Sequence, residues 1–301
     1  MSIVQDRRIL YFFEAVRLGS VRAAADTLNV APSAVSRHIA LLEQELNAPL
    51  MERHRRGVKP TDAGERVLEY YRQRLTQQEI LIDSLQALRG LQSGSITLAI
   101  GEGFIEGLAD VLAEFSDRYP KIEILINVCG SNEVIRQVVE DESHIGLVFN
   151  PANDPKIRAH GRRRQPVRVI VNATHPLAFS EGPIPLAGLD EFRLALPNVS
   201  YGIRQILTLA EHQLGVSLVP TVTCSTIAML KRYAMRGGVT LLPQFVVEEE
   251  IAQGKLVALP LHHDVFSQPE AQLITRLGRQ LGVGASRLLS MLLQEMGAFK
   301  N

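Results

Sequence analysis

The fold of the N-terminal part of this chain is set by residues 20–46, SVRAAADTLNVAPSAVSRHIALLEQEL. Ser20 is a preferred helix N-cap, and Asn29 opens a turn because asparagine tolerates a left-handed backbone. Pro32 suits the first turn of the next helix, which is predicted over Pro32–Leu46. The apolar residues of the two helices recur at helical spacing: Val21, Ala24, Ala25, Leu28, then Val35, Ile39, Leu42 and Leu46. Two helices joined by so short a turn are typical of a helix-turn-helix.

The face opposite the second apolar stripe carries short polar side chains, which allow a helix to approach base edges closely. We expect Ser33, Ser36 and Arg37 to contact bases. Flanking DNA contacts are expected at Ser20, Ala31, Pro32 and His38. The alternative is a helical hairpin whose polar face is only hydrated.

Residues 53–59, RHRRGVK, hold four permanent cations around a glycine that permits a tight turn. Directly after a helix-turn-helix, this pattern predicts a two-stranded wing whose cations bind DNA phosphates. The four cations are Arg53, Arg55, Arg56 and Lys59. The alternative is that the basic run is solvated surface.

Residues 61–91 contain no proline and predict one long helix, with Thr61 as its cap. Six positions step by three and four residues, which is typical of a coiled-coil seam. They are Leu68, Tyr71, Leu75, Gln78, Ile82 and Leu85. Because a helix this long would overhang a 60-residue domain, the spacing favours pairing with a second copy. The alternative is packing on its own domain.

From residue 94 onward, strand-like and helical segments alternate. Strands are predicted at residues 95–100, 122–128, 144–149, 167–172, 193–196, 217–223 and 239–242. Helices are predicted at residues 104–119, 132–141, 203–214 and 227–236. This alternation favours right-handed crossovers and parallel sheets. Two such α/β sets in series predict a two-lobed ligand-binding body.

The composition bounds the class of protein. Since 32 basic residues balance 32 acidic ones, a chain that coats nucleic acid along its whole length is not expected. No apolar run is long enough to span a bilayer and the N-terminus is charged, so we expect a soluble cytoplasmic protein. Two cysteines, Cys129 and Cys224, are too few for a zinc site. We expect neither a metal nor a cofactor.

The glycine run of residues 101–107, GEGFIEG, follows a strand and opens a helix, as a dinucleotide site requires. However, Gly107 comes one residue late for that motif, and no acid ends the second strand. A nucleotide-dependent oxidoreductase is therefore only a minor alternative. Because the sequence carries no recognisable catalytic motif, we expect no enzymatic activity.

Over residues 10–64 the chain resembles the LysR-type transcriptional regulators. The matching residues are the segment LYFFEAV at 10–16, Gly19-Ser20, the alanines at 23–25, Leu28, the segment AVSR at 34–37, Ile39, Leu42-Glu43, Leu46, Leu50, Arg53, Thr61 and Ala63-Gly64. The sequence departs from the family at Asn47, usually glycine, and at Met51, usually phenylalanine. The resemblance implies a DNA-binding regulator that pairs through antiparallel linker helices into a homodimer or homotetramer. Its double-stranded operator should be an imperfect palindrome.

The resemblance continues more weakly at Tyr119-Pro120, at residues 175–177, 238–243 and 254–257. It implies a winged helix-turn-helix at residues 1–60, a linker helix at 61–92 and an effector-binding domain at 93–301. That domain should resemble periplasmic binding proteins, with lobe one at 93–165 and 263–301 and lobe two at 166–262. A small-molecule effector is expected in the cleft between them. A DNA-binding protein without an effector is the alternative.

In such regulators the helix starts that follow the strands line the cleft. The corresponding residues are Glu102, Gly103, Phe104, Ser131, Asn132, Ser200, Tyr201, Ser225 and Thr226. Ser131 and Thr226 could instead be ordinary N-caps, and Tyr201 could simply pack. Family members often have serine or threonine near Glu102, which suits a carboxylate effector. A Glu102 facing the cleft favours an effector with an amine or several hydroxyls, whereas a solvent-facing one leaves an organic acid open.

Six cations without an opposing acid lie within residues 156–168. They are Lys156, Arg158, Arg162, Arg163, Arg164 and Arg168. These side chains lie either on solvated crossover strands or on a cationic surface that binds an anionic effector or a partner subunit.

Overall fold

The computed structural model describes residues 6–54, 57–88, 94–198 and 202–299. The chain forms two compact units, Met1–Leu81 and Ile82–Asn301. Within the described ranges, no helix combines the length and apolar character needed to cross a membrane.

The N-terminal unit is a winged helix-turn-helix. Its elements are α1 (Asp6–Arg17), α2 (Val21–Thr27), α3 (Pro32–Leu46), β1 (Met51–His54), β2 (Gly57–Pro60) and the start of α4 (Asp62–Leu88). Ser20 caps α2, since its hydroxyl accepts a hydrogen bond from the Ala23 amide. Asn29 has a φ of 52° in the turn. The predicted helix-turn-helix and the predicted bounds of α3 are therefore confirmed.

The buried stripe of α3 fixes which face of this helix meets solvent. Val35, Ile39 and Leu42 are fully buried, and α3 packs against α1 and α2. The predicted burial of Leu46 is wrong, because α3 ends at this residue and leaves its side chain 37% exposed. Asn47 then ends the helix with a φ of 51°. Asparagine thus provides the left-handed conformation that glycine usually supplies at a helix end.

The predicted wing is present and is docked on the helix-turn-helix. Strands β1 and β2 pair antiparallel, with Arg53 opposite Val58. The amide of Val58 donates a hydrogen bond of 2.9 Å to the carbonyl oxygen of Gly19, in the turn between α1 and α2. Gly57 lies against the same oxygen with a φ of 124°, and a Cβ at this position would overlap it.

Helix α4 begins as predicted but uses its apolar residues differently. Thr61 Oγ1 accepts a hydrogen bond of 3.1 Å from the Gly64 amide and caps the helix. Leu68 and Tyr71 pack into the core of their own unit, so the prediction that these two positions belong to a coiled-coil seam is wrong. The first turns of α4 cover the core built by α1 to α3, and Leu68 and Tyr71 are the side chains that pack into it. Farther along, Leu75, Ile82 and Leu85 are 37%, 48% and 50% exposed.

Lobe one of the second unit is a five-stranded sheet with helices on both faces. Its strands are β3 (Gly94–Ile100), β4 (Ile122–Val128), β5 (Ile145–Phe149), β6 (Ile157–Arg164) and β12 (Glu270–Arg276). They lie in the order β4-β3-β5-β12-β6. Helices α5 (Ile105–Arg118) and α10 (Val283–Glu295) cover one face, and α6 (Ser131–Val139) covers the other.

Lobe two is a second five-stranded sheet. Its strands are β7 (Val167–Asn172), β8 (Leu194–Pro197), β9 (Val222–Cys224), β10 (Val239–Pro243) and β11 (Leu256–Pro260), in the order β11-β7-β10-β8-β9. Its helices are α7 (Gly202–Leu214), α8 (Ile227–Met235) and α9 (Glu248–Ala252). The predicted two-lobed α/β body is confirmed.

Both sheets are mixed rather than purely parallel. The pairs β3·β4, β3·β5, β8·β9 and β8·β10 are parallel as predicted, whereas β6, β7, β11 and β12 pair antiparallel. Strand β6 falls within residues 156–168, for which solvated crossover strands were one expectation. Strands β11 and β12 and helix α10 were not predicted. The strand predicted at residues 217–223 is wrong in extent, because only Val222–Cys224 pairs with β8.

Replacing Gly57 by alanine should undock the wing, because the new Cβ meets a backbone oxygen and also sits at a positive φ. We expect a loss of about 3–4 kcal/mol from strain and overpacking together. Gly19→Ala is the matched control: its φ is 63° but no atom lies within 4 Å of the added Cβ, so about 1–2 kcal/mol is expected. For each variant, urea unfolding measures the loss of stability, and hydrogen exchange at the Val58 amide measures whether the wing stays docked. Equal losses in the two variants would contradict the docking.

Candidate functional site

The exposed face of α3 is the first candidate site. Ala31, Pro32, Ser33 and Arg37 are exposed, and Ser36 is partly exposed. No ion pair to any residue in the described ranges holds the Arg37 guanidinium. This face therefore offers a free cation and two hydroxyls on a rigid helix. Ser20 is only partly exposed, and its hydroxyl already caps α2.

His38 is turned toward its own unit. Its ring lies 4.9 Å from that of Tyr11. Burial lowers the pKa of His38, and the cations of Arg37, Arg7 and Arg8 lower it further. At neutral pH this histidine is therefore an uncharged packing residue that adjoins the α3 face.

The wing carries the remaining predicted phosphate ligands. Lys59 is exposed on β2, and the backbone of Arg53 lies in β1. Arg55 and Arg56 lie outside the described residues. On β1, Glu52 accepts a hydrogen bond of 3.0 Å from His54, so one acid stands among the cations of the wing.

The cleft between the two lobes is the second candidate site, and Glu102 lies at its centre. Its carboxylate accepts hydrogen bonds of 2.7 Å from the Ile227 amide and 3.1 Å from the Ala228 amide. Both amides belong to the first turn of α8, on the opposite lobe. Glu102 therefore faces the cleft, where it is bound by the second lobe's backbone.

Ser131 also bridges the lobes. Its hydroxyl donates to the Phe149 carbonyl oxygen at 3.1 Å and accepts from the Gly202 amide at 3.3 Å. The reading of Ser131 as an ordinary N-cap is wrong, because α6 is preceded by Gly130 and receives no side-chain cap. Next to it, Asn132 accepts a hydrogen bond of 3.4 Å from Gln205.

Lys231 is a cleft residue that the sequence did not single out. Its ammonium lies 2.7 Å from a Glu106 oxygen on lobe one and 2.6 Å from a Glu250 oxygen on lobe two. Burial alone would lower the pKa of Lys231, but the two carboxylates outweigh it and the pKa is raised. Lys231 lies one turn after Ile227, and Glu106 lies one turn after Glu102. This spacing indicates an ion pair only once α5 and α8 are known to face each other.

Aromatic residues fill the rest of the cleft. Phe104 lies 5.2 Å from Phe245, and Phe149 lies 6.3 Å from it, ring centre to ring centre. Gly103 packs so closely that a Cβ would lie 2.9 Å from Val246 Cγ2. The space left next to Glu102, Ser131 and Phe149 is about 20 Å³, enough for about one water molecule. This part of the cleft is therefore closed, whereas a pocket of about 530 Å³ lies farther along, between Glu106 and Glu249.

The other predicted cleft residues are only partly described. Thr226 is an N-cap, since its hydroxyl accepts a hydrogen bond of 3.3 Å from the Met229 amide. Ser225 is exposed beside it. Ser200 and Tyr201 lie outside the described residues. In the described ranges, no group of three or more histidines, cysteines and acids is placed to bind a metal ion.

The cationic segment of residues 156–168 lies on two strands. Arg158, Arg162 and Arg164 are exposed on β6, which is an edge strand of lobe one. Arg168 is partly exposed on β7. Exposure at a sheet edge fits both the solvated reading and the partner-surface reading of this segment.

Two family models match the chain. "Bacterial regulatory helix-turn-helix protein, lysR family" matches residues 7–65, and "LysR substrate binding domain" matches residues 89–297. The RuBisCO operon transcriptional regulator of Allochromatium vinosum is 27% identical over 296 residues, which cover 96% of this chain and 95% of that protein.

Solved structures show the same fold. A full-length OxyR variant from Pseudomonas aeruginosa matches with a TM-score of 0.65 at 17% identity, over 98% of this chain and 94% of its own. Full-length CbnR complexed with its target DNA matches with a TM-score of 0.52 at 20% identity, over 97% of this chain and 99% of its own.

Proposed function

Because this chain belongs to the LysR family of DNA-binding transcriptional regulators, we propose that α3 reads its operator and that a small molecule bound between the lobes adjusts the binding. The first part rests on the α3 face, where Arg37 is exposed and has no ion pair with any residue in the described ranges, and on the cationic wing that follows α3 in the chain. Such a helix fits the major groove, and an arginine there can bond guanine in a bidentate manner.

The contacts divide into two kinds. Ser33, Ser36 and Arg37 contact base edges, and Ala31 and Pro32 approach the groove at the start of α3. The wing cations contact phosphates, which contribute affinity without sequence preference: Arg53, Arg55, Arg56 and Lys59. Ser20 acts by capping α2. His38 acts by packing, uncharged, against Tyr11.

A homodimer through α4 follows from its exposed apolar residues, Leu75, Ile82 and Leu85. Exposed apolar side chains at this spacing gain free energy when a second helix covers them. A dimer carries two α3 helices and therefore reads an imperfect palindrome of double-stranded DNA. A pair of such dimers would form a tetramer.

The effector binds next to Glu102 once the lobes separate, because this part of the cleft holds about 20 Å³ and small-molecule sites need roughly 300 Å³ or more. The chain itself catalyses no reaction and uses no metal or cofactor. In support, two residues of the glycine run contact the second lobe: Gly103 packs against Val246, and Glu102 accepts a hydrogen bond from the first turn of α8. These contacts take the place that a nucleotide would need. The protein acts in the cytoplasm, where its operator DNA lies.

Arg37→Ala should weaken binding to the specific operator by about 1–3 kcal/mol and binding to random DNA by less, because a base contact is lost. Lys59→Ala should weaken both about equally and reduce the salt slope by about one. Fluorescence anisotropy at several salt concentrations measures this. Arg118→Ala is the control, since Arg118 is exposed but paired with Glu114 on the other unit. Loss of affinity of the same size on both DNAs in the Arg37 variant would contradict base reading by α3.

Ile82→Asp should dissociate the dimer, because a carboxylate would be buried in the apolar contact between helices. Light scattering should then give the mass of one 33.3 kDa chain. Gln77→Asp, at an exposed polar position of the same helix, should keep the mass of the unaltered protein. An unchanged mass in the Ile82 variant would exclude pairing through α4.

A further inference from the structure

We propose that Glu102 is a built-in ligand of the cleft: its carboxylate closes the two lobes without an effector and excludes small carboxylates from the N-terminus of α8. The inference rests on the proposed function only in taking this cleft as the effector site. The closure itself follows from contacts within the second unit.

The amides of Ile227, Ala228 and Met229, in the first turn of α8, all have acceptors. A helix leaves its first amides without intrahelical acceptors. Here Glu102 accepts from Ile227 and Ala228, and Thr226 accepts from Met229. An external carboxylate at this helix end must therefore displace Glu102.

The hydrogen bonds of Glu102 to α8 form only when the two lobes meet. Glu102 lies at the start of the helical segment after β3, on lobe one, and its partners lie 125 and 126 residues away on lobe two. Four residues farther along each segment, Glu106 in the first turn of α5 pairs with Lys231 on α8. Both contacts join lobe one to α8, so opening the cleft breaks both.

The negative charge of Glu102 also favours its place at the start of α8. Charge-assisted hydrogen bonds are stronger than neutral ones, and the N-terminal end of a helix attracts a negative charge. In Glu102 the protein supplies this charge itself. A second carboxylate in the closed cleft would be repelled by the first, so the ligand class that the cleft favours is an uncharged polyhydroxy compound or an amine.

Formate, the smallest carboxylate, tests the proposal by chemical rescue. In full-length Glu102→Ala the melting temperature should fall by roughly 4–8 °C because two charge-assisted bonds are lost. Formate at constant ionic strength should then recover at least half of that loss and saturate, because it occupies the vacated amides. The unaltered protein should show no saturable response to formate.

Glu106→Ala is the matched control. Its carboxylate is 57% exposed, and Lys231 keeps its ion pair with Glu250 at 2.6 Å when Glu106 is removed. No vacated cation is then left for formate, so formate should not rescue this variant. If Glu102→Ala fails to fold, Glu102→Ser leaves the same amides unpaired and undergoes the same titration.

Equal formate responses in the unaltered protein and the Glu102 variant, or none in either, would overturn the built-in ligand. A metabolite thermal-shift screen on the unaltered protein tests the effector site separately. Either idea can thus fail alone.

Discussion

The second unit depends on one interaction, the carboxylate of Glu102 at the first turn of α8. Each lobe has its own sheet, and two of the contacts that join them across the cleft are side-chain oxygens that accept hydrogen bonds from backbone amides of the opposite lobe. Glu102 does this for α8, and Ser131 does it for α7 through the Gly202 amide. Because unsatisfied amides are costly once buried, closure of the lobes and completion of these helices occur together.

This closure sets what an effector has to do. A ligand shifts an equilibrium only by its difference in affinity for the two states. An effector that separates the lobes must therefore bind the open form better by more than the free energy of the Glu102, Ser131 and Lys231 contacts. The apolar contact of Phe104 with Phe245 adds to that requirement. The chain belongs to a family of transcriptional regulators. The contacts between the lobes determine how much binding free energy an effector must supply to separate them.

The sequence was sufficient where structure is local. Helix α3 was predicted with its bounds because Asn29 and Pro32 mark the turn before it and the apolar spacing from Val35 to Leu46 marks its length. Leu68 and Tyr71 show the limit of such spacing: it identifies an apolar stripe but not which surface covers it. Strands β11 and β12 were missed because their antiparallel partners lie far away in the chain. The partners of Glu102 could not be found for the same reason, since 125 residues separate them.

The distance between the two lobes in the ligand-free protein is the most direct measurement of this closure. Spin labels at exposed Asp117 on lobe one and Gln213 on lobe two would report it, with Cys129 and Cys224 replaced by serine. We expect a single narrow distance distribution that lengthens and broadens when Glu102 is replaced by alanine. A broad distribution in the protein that retains Glu102, or one that the replacement leaves unchanged, would contradict a cleft closed by its own carboxylate.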